Sequence, residues 1–336
     1  MIDFNGKQKE HDNMKKVILD VDTGSDDAIA IMTAALSDKL EVLGICTVNG
    51  NRCIENTTEN TLRVVQYINA KIPVYKGCAL PLVVSLTNGR RESIPFKGQE
   101  DKREDVHGDF LPLPAATIKA EKEDAVTYLI KSIMESDGDI SIIAVGPLTN
   151  IAVAIRAQPE ITRKIDTLYI MGGGWHESNI TPSAEFNFWI DPEAAKIVVN
   201  SGCKIIMVPL DATHAGSISI NDARFLENQK YPAAKLAATL IEKRLSGYNN
   251  WQPMTDKTTV PIHDALAVCA AIDEKVLADV RYINVDIDIN GGVCDGQSVC
   301  DVENKDKHKK PNIYVALSAN KEYFSEILKK TLLMSL

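Results

Sequence analysis

Lys16-Val17-Ile18-Leu19-Asp20-Val21-Asp22-Thr23-Gly24-Ser25-Asp26-Asp27 is the stretch on which the reading of the chain turns. Its first part is an apolar, β-branched run, read as a buried strand over 16–22. Thr23-Gly24-Ser25 reads as a turn, and Asp26-Asp27 opens a segment, 26–36, with apolar residues at helical spacing. Four carboxylates therefore fall within eight residues at a strand end. At a separation of about 4 Å and an effective dielectric of ~20, each close pair repels by roughly 4 kcal/mol. A helix N-terminus returns only about 0.3–1 kcal/mol per charge. A divalent cation offsets far more, so the magnitudes favour a metal over capping alone. The ligands on offer are oxygens, with no nearby Cys or His, which points to a hard ion, calcium or magnesium. The plain alternative is that Asp26 caps the helix and the others are solvated. The apolar strand leading directly into the cluster weighs against it.

Outward from this stretch, the short apolar runs 41–48, 140–145, 167–171 and 204–210 also read as buried parallel strands. Helical spacing follows at 57–68 and 124–135, with shorter helices at 148–156 and 192–200. Strands alternating with helices predict an α/β fold, a single domain with a mainly parallel central β-sheet flanked by helices. In such sheets ligands bind beyond the carboxyl ends of the strands. Residues 85–114, rich in Gly, Pro and charge, read as a long irregular connection of the kind that often binds ligands. Residues 231–255 read as a helix followed by a loop that carries Tyr248 and Trp251. From 286 onward apolar and polar residues alternate, suggesting antiparallel strands. Residues 303–311 form a charged loop, and an amphipathic helix over 321–333 follows. No linker divides the chain. Residues 1–14 read as an N-terminal extension and 15–336 as one domain.

With 37 basic and 46 acidic residues among 336, the net charge of −9 argues against nucleic acid as a partner, because phosphate binding needs a basic footprint. Apolar residues at 45% suffice for a sizeable core. Seven cysteines without a C-x-x-C read as free thiols of a cytoplasmic protein. No apolar run approaches the ~18 residues that span a membrane, and the polar start lacks the apolar stretch of a signal peptide. No membrane partner is expected.

Asp-x-Asp after an apolar strand also begins phosphotransferases of the haloacid dehalogenase type, in which Asp20 would be the nucleophile. That chemistry needs a later Lys and a distant acidic pair, and no convincing set of both is present. The Asp26-Asp27 pair is foreign to that pattern as well. A nucleoside- or ribose-binding protein without turnover is a third reading.

The sequence resembles the nucleoside hydrolases, ribonucleoside N-ribohydrolases of the inosine-uridine preferring type, whose opening motif is Asp-x-Asp-Pro-Gly-x-Asp-Asp. Here Thr23 stands in place of the usual Pro. Val48-Asn49-Gly50-Asn51, Ala144-Val145-Gly146-Pro147-Leu148-Thr149-Asn150, Met171-Gly172-Gly173-Gly174, Ala184-Glu185-Phe186-Asn187, Pro209-Leu210-Asp211-Ala212-Thr213-His214 and His263-Asp264 follow in the family's order. The resemblance covers roughly 16–275. It implies the family's fold with a Rossmann-like core, an active site at the C-terminal ends of the strands, and a homodimer or homotetramer.

It also implies roles for individual residues. Calcium would be bound by Asp22, Asp27, the Val145 carbonyl and Asp264. Asp22 would be the base acting on a calcium-bound water. Asp26 and Asn187 would bind ribose hydroxyls, Asn179 and Glu185 the 5′-hydroxyl, and Asn51 would sit near metal and water. His263 is the candidate acid for the leaving base, its alternative being a histidine that orients Asp264. The family branch accepting inosine and uridine has a His at this place, which tilts the expectation toward pyrimidine or broad specificity. His107 could approach the base or be an exposed loop residue. Tyr248 and Trp251 could stack on the base, or pack in the core or an interface.

Overall fold

The pleat of strand β1 (Lys15–Val21) places Val17, Leu19 and Val21 in one apolar layer and Ile18 in the other. This period of two defines the molecule, because the sheet is covered on both faces and a one-residue slip would exchange the layers. The computed structural model describes residues 14–87, 90, 108–252 and 254–336, and no side chain for Ser85 or Trp251. Apart from Met14, the expected N-terminal extension lies outside the described residues, as does His107.

The other strands are β2 (Leu40–Thr47), β3 (Val74–Lys76), β4 (Ile140–Ala144), β5 (Ile165–Met171), β6 (Ile205–Val208), β7 (Ile218–Ser219), β8 (Thr259–Val260), β9 (Leu277–Ile283), β10 (Val285–Ile287), β11 (Ser298–Cys300) and β12 (Ile313–Ala319). Eight of them form one sheet in the order β3-β2-β1-β4-β5-β6-β12-β9. All neighbours pair in parallel except β12 and β9, an antiparallel pair at one edge. β10 with β11, and β7 with β8, form two small antiparallel ribbons.

Helices fill the crossovers: α1 (Ser25–Leu36), α2 (Ile54–Tyr67), α3 (Ala125–Glu135), α4 (Thr149–Ala157), α5 (Phe186–Ile190), α6 (Pro192–Val199), α7 (Leu210–Ala215), α8 (Ile220–Glu227), α9 (Pro232–Trp251), α10 (His263–Ile272) and α11 (Lys321–Leu332). Residues of α1, α9, α10 and α11 share the layer of Val17 and Leu19. Residues of α3, α4 and α6 share that of Ile18. Each fully buried Val, Leu or Ile adds roughly 1.5–3 kcal/mol relative to exposure, which holds the layers in register.

The expected α/β architecture is the observed one, and several boundaries move. The strand expected over 204–210 ends at Val208, because Pro209 precedes a helical turn that starts at Leu210. The antiparallel tail begins at Leu277, before 286. β3 was not anticipated at all. The expected loop around Tyr248 is helical: α9 runs unbroken through it.

Candidate active site

Four of the expected motifs lie just beyond the carboxyl ends of β1, β2, β4 and β5, and a fifth opens α7 beyond β6. The end of β1 first sorts the acidic run. Asp20, still within β1, turns to the layer of α4, where Asn150 Nδ2 donates to its Oδ1 at 2.7 Å. Its other oxygen is buried without a hydrogen-bond partner, and burial pushes its carboxyl up to about 7, partly opposed by that bond. Buried within β1 and bonded to Asn150, Asp20 is not placed as a phosphoryl nucleophile.

Asp22 stands one residue past the last position of β1, at the carboxyl end of the sheet. The Asn51 backbone N–H donates to its Oδ2 at 2.7 Å. A Cβ at Gly50 would collide with that same oxygen, and one at Gly146 would lie 2.9 Å from Oδ1. Two glycines from two strand ends thus give the carboxylate its slot. Asp27, in the first turn of α1, accepts from the backbone N–H of Gly24 at 2.8 Å and of Asp22 at 3.1 Å. Asn51 Nδ2 also reaches Asp27 at 3.3 Å. The turn between them is tied to α2: Thr61 donates its hydroxyl to the Thr57 carbonyl, so Thr23 donates to Thr61, at 2.6 Å. Asn60 adds a bond to the Thr23 carbonyl at 3.1 Å. That is the local use of the Thr that replaces the family's Pro.

Asp264, in the first turn of α10, completes the set. Carboxylate oxygens of Asp26, Asp27 and Asp264 lie within 4.8 Å of one another, all buried. Burial, then the charges of Asp26, Asp27 and Asp22, pushes the Asp264 carboxyl well above the usual range. Burial and then Asp27 do the same to Asp22, and Asp27 is pushed up to about 6, mainly by burial and then by Asp26. Buried carboxylates so close are poorly stabilised as anions by the protein alone, and a hard cation would supply what is missing.

Around this core stand the remaining expected residues. Asn187 Nδ2 donates to the Val145 carbonyl at 2.8 Å and to the Met171 carbonyl at 3.1 Å. Glu185 caps α5, accepting from the backbone N–H of Asn187, Phe188 and Gly173, and burial still raises its carboxyl to about 7. Asn179 is half-buried and accepts from the Phe186 N–H at 2.9 Å. The glycines at 172–174 serve close packing: a Cβ at Gly172 would lie 2.5 Å from the Phe188 ring.

His263 is buried, with both ring nitrogens engaged: Nε2 with the Tyr248 hydroxyl at 2.6 Å and Nδ1 with the Thr213 hydroxyl at 2.7 Å. Tyr248 is therefore no free stacking platform. Its ring lies 5.4 Å from the Arg244 guanidinium, and its hydroxyl holds His263. Arg244, which the sequence reading passed over, is 2% exposed and pairs with Asp26 Oδ1 at 2.9 Å. A signal for it exists: Leu236, Leu240, Arg244 and Tyr248 recur every four residues, so a cation sits on the buried stripe of α9. His214 pairs with Glu177 at 3.3 Å, and its ring lies 5.8 Å from that of His263. A cleft of about 760 Å³ between α4 and α6, lined by Ile155, Lys196 and Ile289, touches none of these carboxylates.

The profile of inosine-uridine preferring nucleoside hydrolases matches residues 17–326. The chain belongs to that family. It is an enzyme of the nucleoside hydrolase class, as its relatives are. A pyrimidine-specific ribonucleoside hydrolase, RihB, of Escherichia coli O157:H7 is 37% identical over 295 residues, covering 85% of this chain and 87% of that protein. A plant nucleoside hydrolase superposes with a TM-score of 0.83 at 27% identity, covering 95% of this chain and 98% of that one. A purine-preferring ribonucleoside hydrolase from Gardnerella vaginalis gives a TM-score of 0.81 at 27% identity over 95% and 98%. Among the described residues no helix is long and apolar enough to cross a membrane.

Proposed function

We propose that this nucleoside hydrolase cleaves the N-glycosidic bond of ribonucleosides in a calcium-dependent reaction, giving ribose and free base, with pyrimidine nucleosides preferred. The observation that carries the proposal is the buried cluster of Asp26, Asp27 and Asp264, with Asp22 bonded to Asp27 through its backbone N–H, in a chain of this family. The donor set fits a hard divalent ion: oxygens only, buried, and destabilised as bare anions. Asp22, Asp27, Asp264 and the Val145 carbonyl would hold it. When bound, calcium lowers the pKa of a coordinated water and orders the ribose hydroxyls.

Asp22 takes the proton from the attacking water, its orientation fixed by the Asn51 N–H and by the flanking glycines. Asp26, Asn187, Asn179 and Glu185 bind the sugar hydroxyls, and Asn51 braces Asp22 and Asp27. The departing base needs a proton, and the Tyr248–His263 pair is the acid that delivers it. His107 remains a proposed base contact. The pyrimidine preference is supported by the 37% identical relative, while the purine-preferring structure at 27% identity marks the competing specificity. All seven cysteines are free, which supports a cytoplasmic location; a homodimer or homotetramer is the proposed assembly.

The test is incubation with uridine, cytidine, inosine and adenosine in phosphate-free buffer containing calcium, with chromatography of the base and an assay for reducing sugar. Equimolar base and ribose, fastest from uridine or cytidine, is expected. No release from any of the four overturns the proposal.

A further inference from the structure

Arg244 lies on α9 with its guanidinium almost wholly removed from solvent. A buried cation costs on the order of several kcal/mol, even after the protein relaxes around it, unless it is paired and hydrogen-bonded. Here two of its three nitrogens carry hydrogen bonds. Nη1 donates to Asp26 Oδ1 at 2.9 Å and to Ser25 Oγ at 3.1 Å, and Nε donates to the Pro261 carbonyl at 3.3 Å. One side chain therefore ties the start of α1 to the segment entering α10, the two elements that carry Asp27 and Asp264. The same elements bring Asp26 within ligand distance of Asp27 and Asp264, so distance alone does not separate a metal ligand from a sugar ligand. The guanidinium does. Asp26 is the cluster member with a cation already on one of its oxygens, while the oxygens of Asp27 are held by backbone N–H groups and the Asn51 amide.

We propose that Arg244 is a positioning residue that withholds Asp26 from the divalent ion and leaves it for a ribose hydroxyl. This rests on the metal-dependent reading above. Asp22, Asp27 and Asp264 then face the ion, and the Asp26–Arg244 pair stands beside it as a neutral unit. With the cation removed, Asp26 becomes one more anionic ligand, and the sugar loses a partner.

The test is calorimetric titration of calcium into metal-stripped wild type, Asp26→Asn, Arg244→Met and the double variant, with steady-state kinetics on uridine alongside. In the wild-type background Asp26→Asn changes the calcium Kd by less than about 3-fold. In the Arg244→Met background it weakens calcium by about 10-fold or more, a coupling in the range seen for groups that share a partner. Arg244→Met raises KM for uridine more than it lowers kcat, and Arg244→Lys, which keeps the charge, restores part of the KM. A loss of about 10-fold or more in calcium affinity from Asp26→Asn while Arg244 is intact overturns the proposal, whether or not the Arg244→Met protein folds. Equal effects of Asp26→Asn in both backgrounds overturn it too. Absence of any calcium binding by the wild type would instead overturn the metal reading beneath it.

Discussion

Asp20 and Asp22 are two residues apart and do different work, because the strand ends between them. Asp20 is still pleated into β1 and meets Asn150, while Asp22 stands beyond the last strand residue among the other carboxylates. Asp20→Asn keeps the shape and removes a carboxyl held mostly by burial. It should leave kcat within about 10-fold of wild type, since the residue touches no reacting atom; a loss as large as that of Asp22→Ala would return Asp20 to the chemistry. The acid role is tested by pairing substrates. His263→Ala and Tyr248→Phe should each slow uridine by roughly 10²–10⁴-fold, the range for a positioned acid. An activated aryl riboside, whose leaving group needs no proton, should be slowed far less. Equal losses on both substrates would assign the pair to structure. The sequence shows His263 and Asp264 as adjacent letters, but not that Tyr248 holds the histidine, because that contact crosses from α9 to α10.

At the scale of elements, the β1–α1 junction is the most legible part of the chain. A β-branched run, a Gly turn and two acidic residues at a helix start all point the same way, and the structure has them so. The end of α9 is not legible. The stretch around Tyr248 reads as a loop, yet Tyr248 is buried against His263 and Arg244, and tertiary packing carries the helix on to Trp251. β9 escapes for the reverse reason: Asp279 and Arg281 make an edge strand look like a loop. Two further outcomes belong at this scale. Gly50→Ala inserts a methyl into the Asp22 slot and against Pro147, so kcat/KM should fall by roughly 10²-fold, as for a misplaced catalytic group, with the far-ultraviolet circular dichroism unchanged. Asp222 reciprocally caps α8 with Ser219 and bonds Lys329 of α11 at 2.5 Å. Burial opposes its ionisation, but Lys329, Ser219 and Ser325 outweigh it and hold the carboxyl down to about 2. Asp222→Ala should cost about 1 kcal/mol or more, read as a lower denaturation midpoint at neutral pH. Because the folded pKa lies below the unfolded one, that difference should shrink as pH falls from about 4 toward 2.

For the whole molecule, the parallel order of the central strands follows from alternating strand and helix signals. The alternation from 286 onward signals antiparallel strands, but not that β12 docks parallel to β6 and leaves β9 as the antiparallel edge, because that pairing is set by long-range packing. Burial sets the pH response of the metal-free protein. Asp191, which caps α6 and accepts from Thr149 and the Leu82 N–H, is pushed up to about 6, chiefly by burial. Its folded form keeps a proton that the unfolded chain has already released, so chelator-treated protein should lose stability as pH rises from about 4 to 6. Asp191→Asn should flatten that slope in urea titrations. Calcium should raise the Tm, by about 2.7 kcal/mol of added stability at ~100 times its Kd. The most direct measurement of the central claim is uracil release from uridine by chelator-treated wild type and Asp22→Ala, each followed through stepwise return of calcium. Metal-dependent hydrolysis at the aspartate cluster predicts that wild-type activity vanishes on chelation and returns with calcium, while Asp22→Ala stays inactive at every concentration. Undiminished release by the chelated wild type, or by Asp22→Ala, would contradict it.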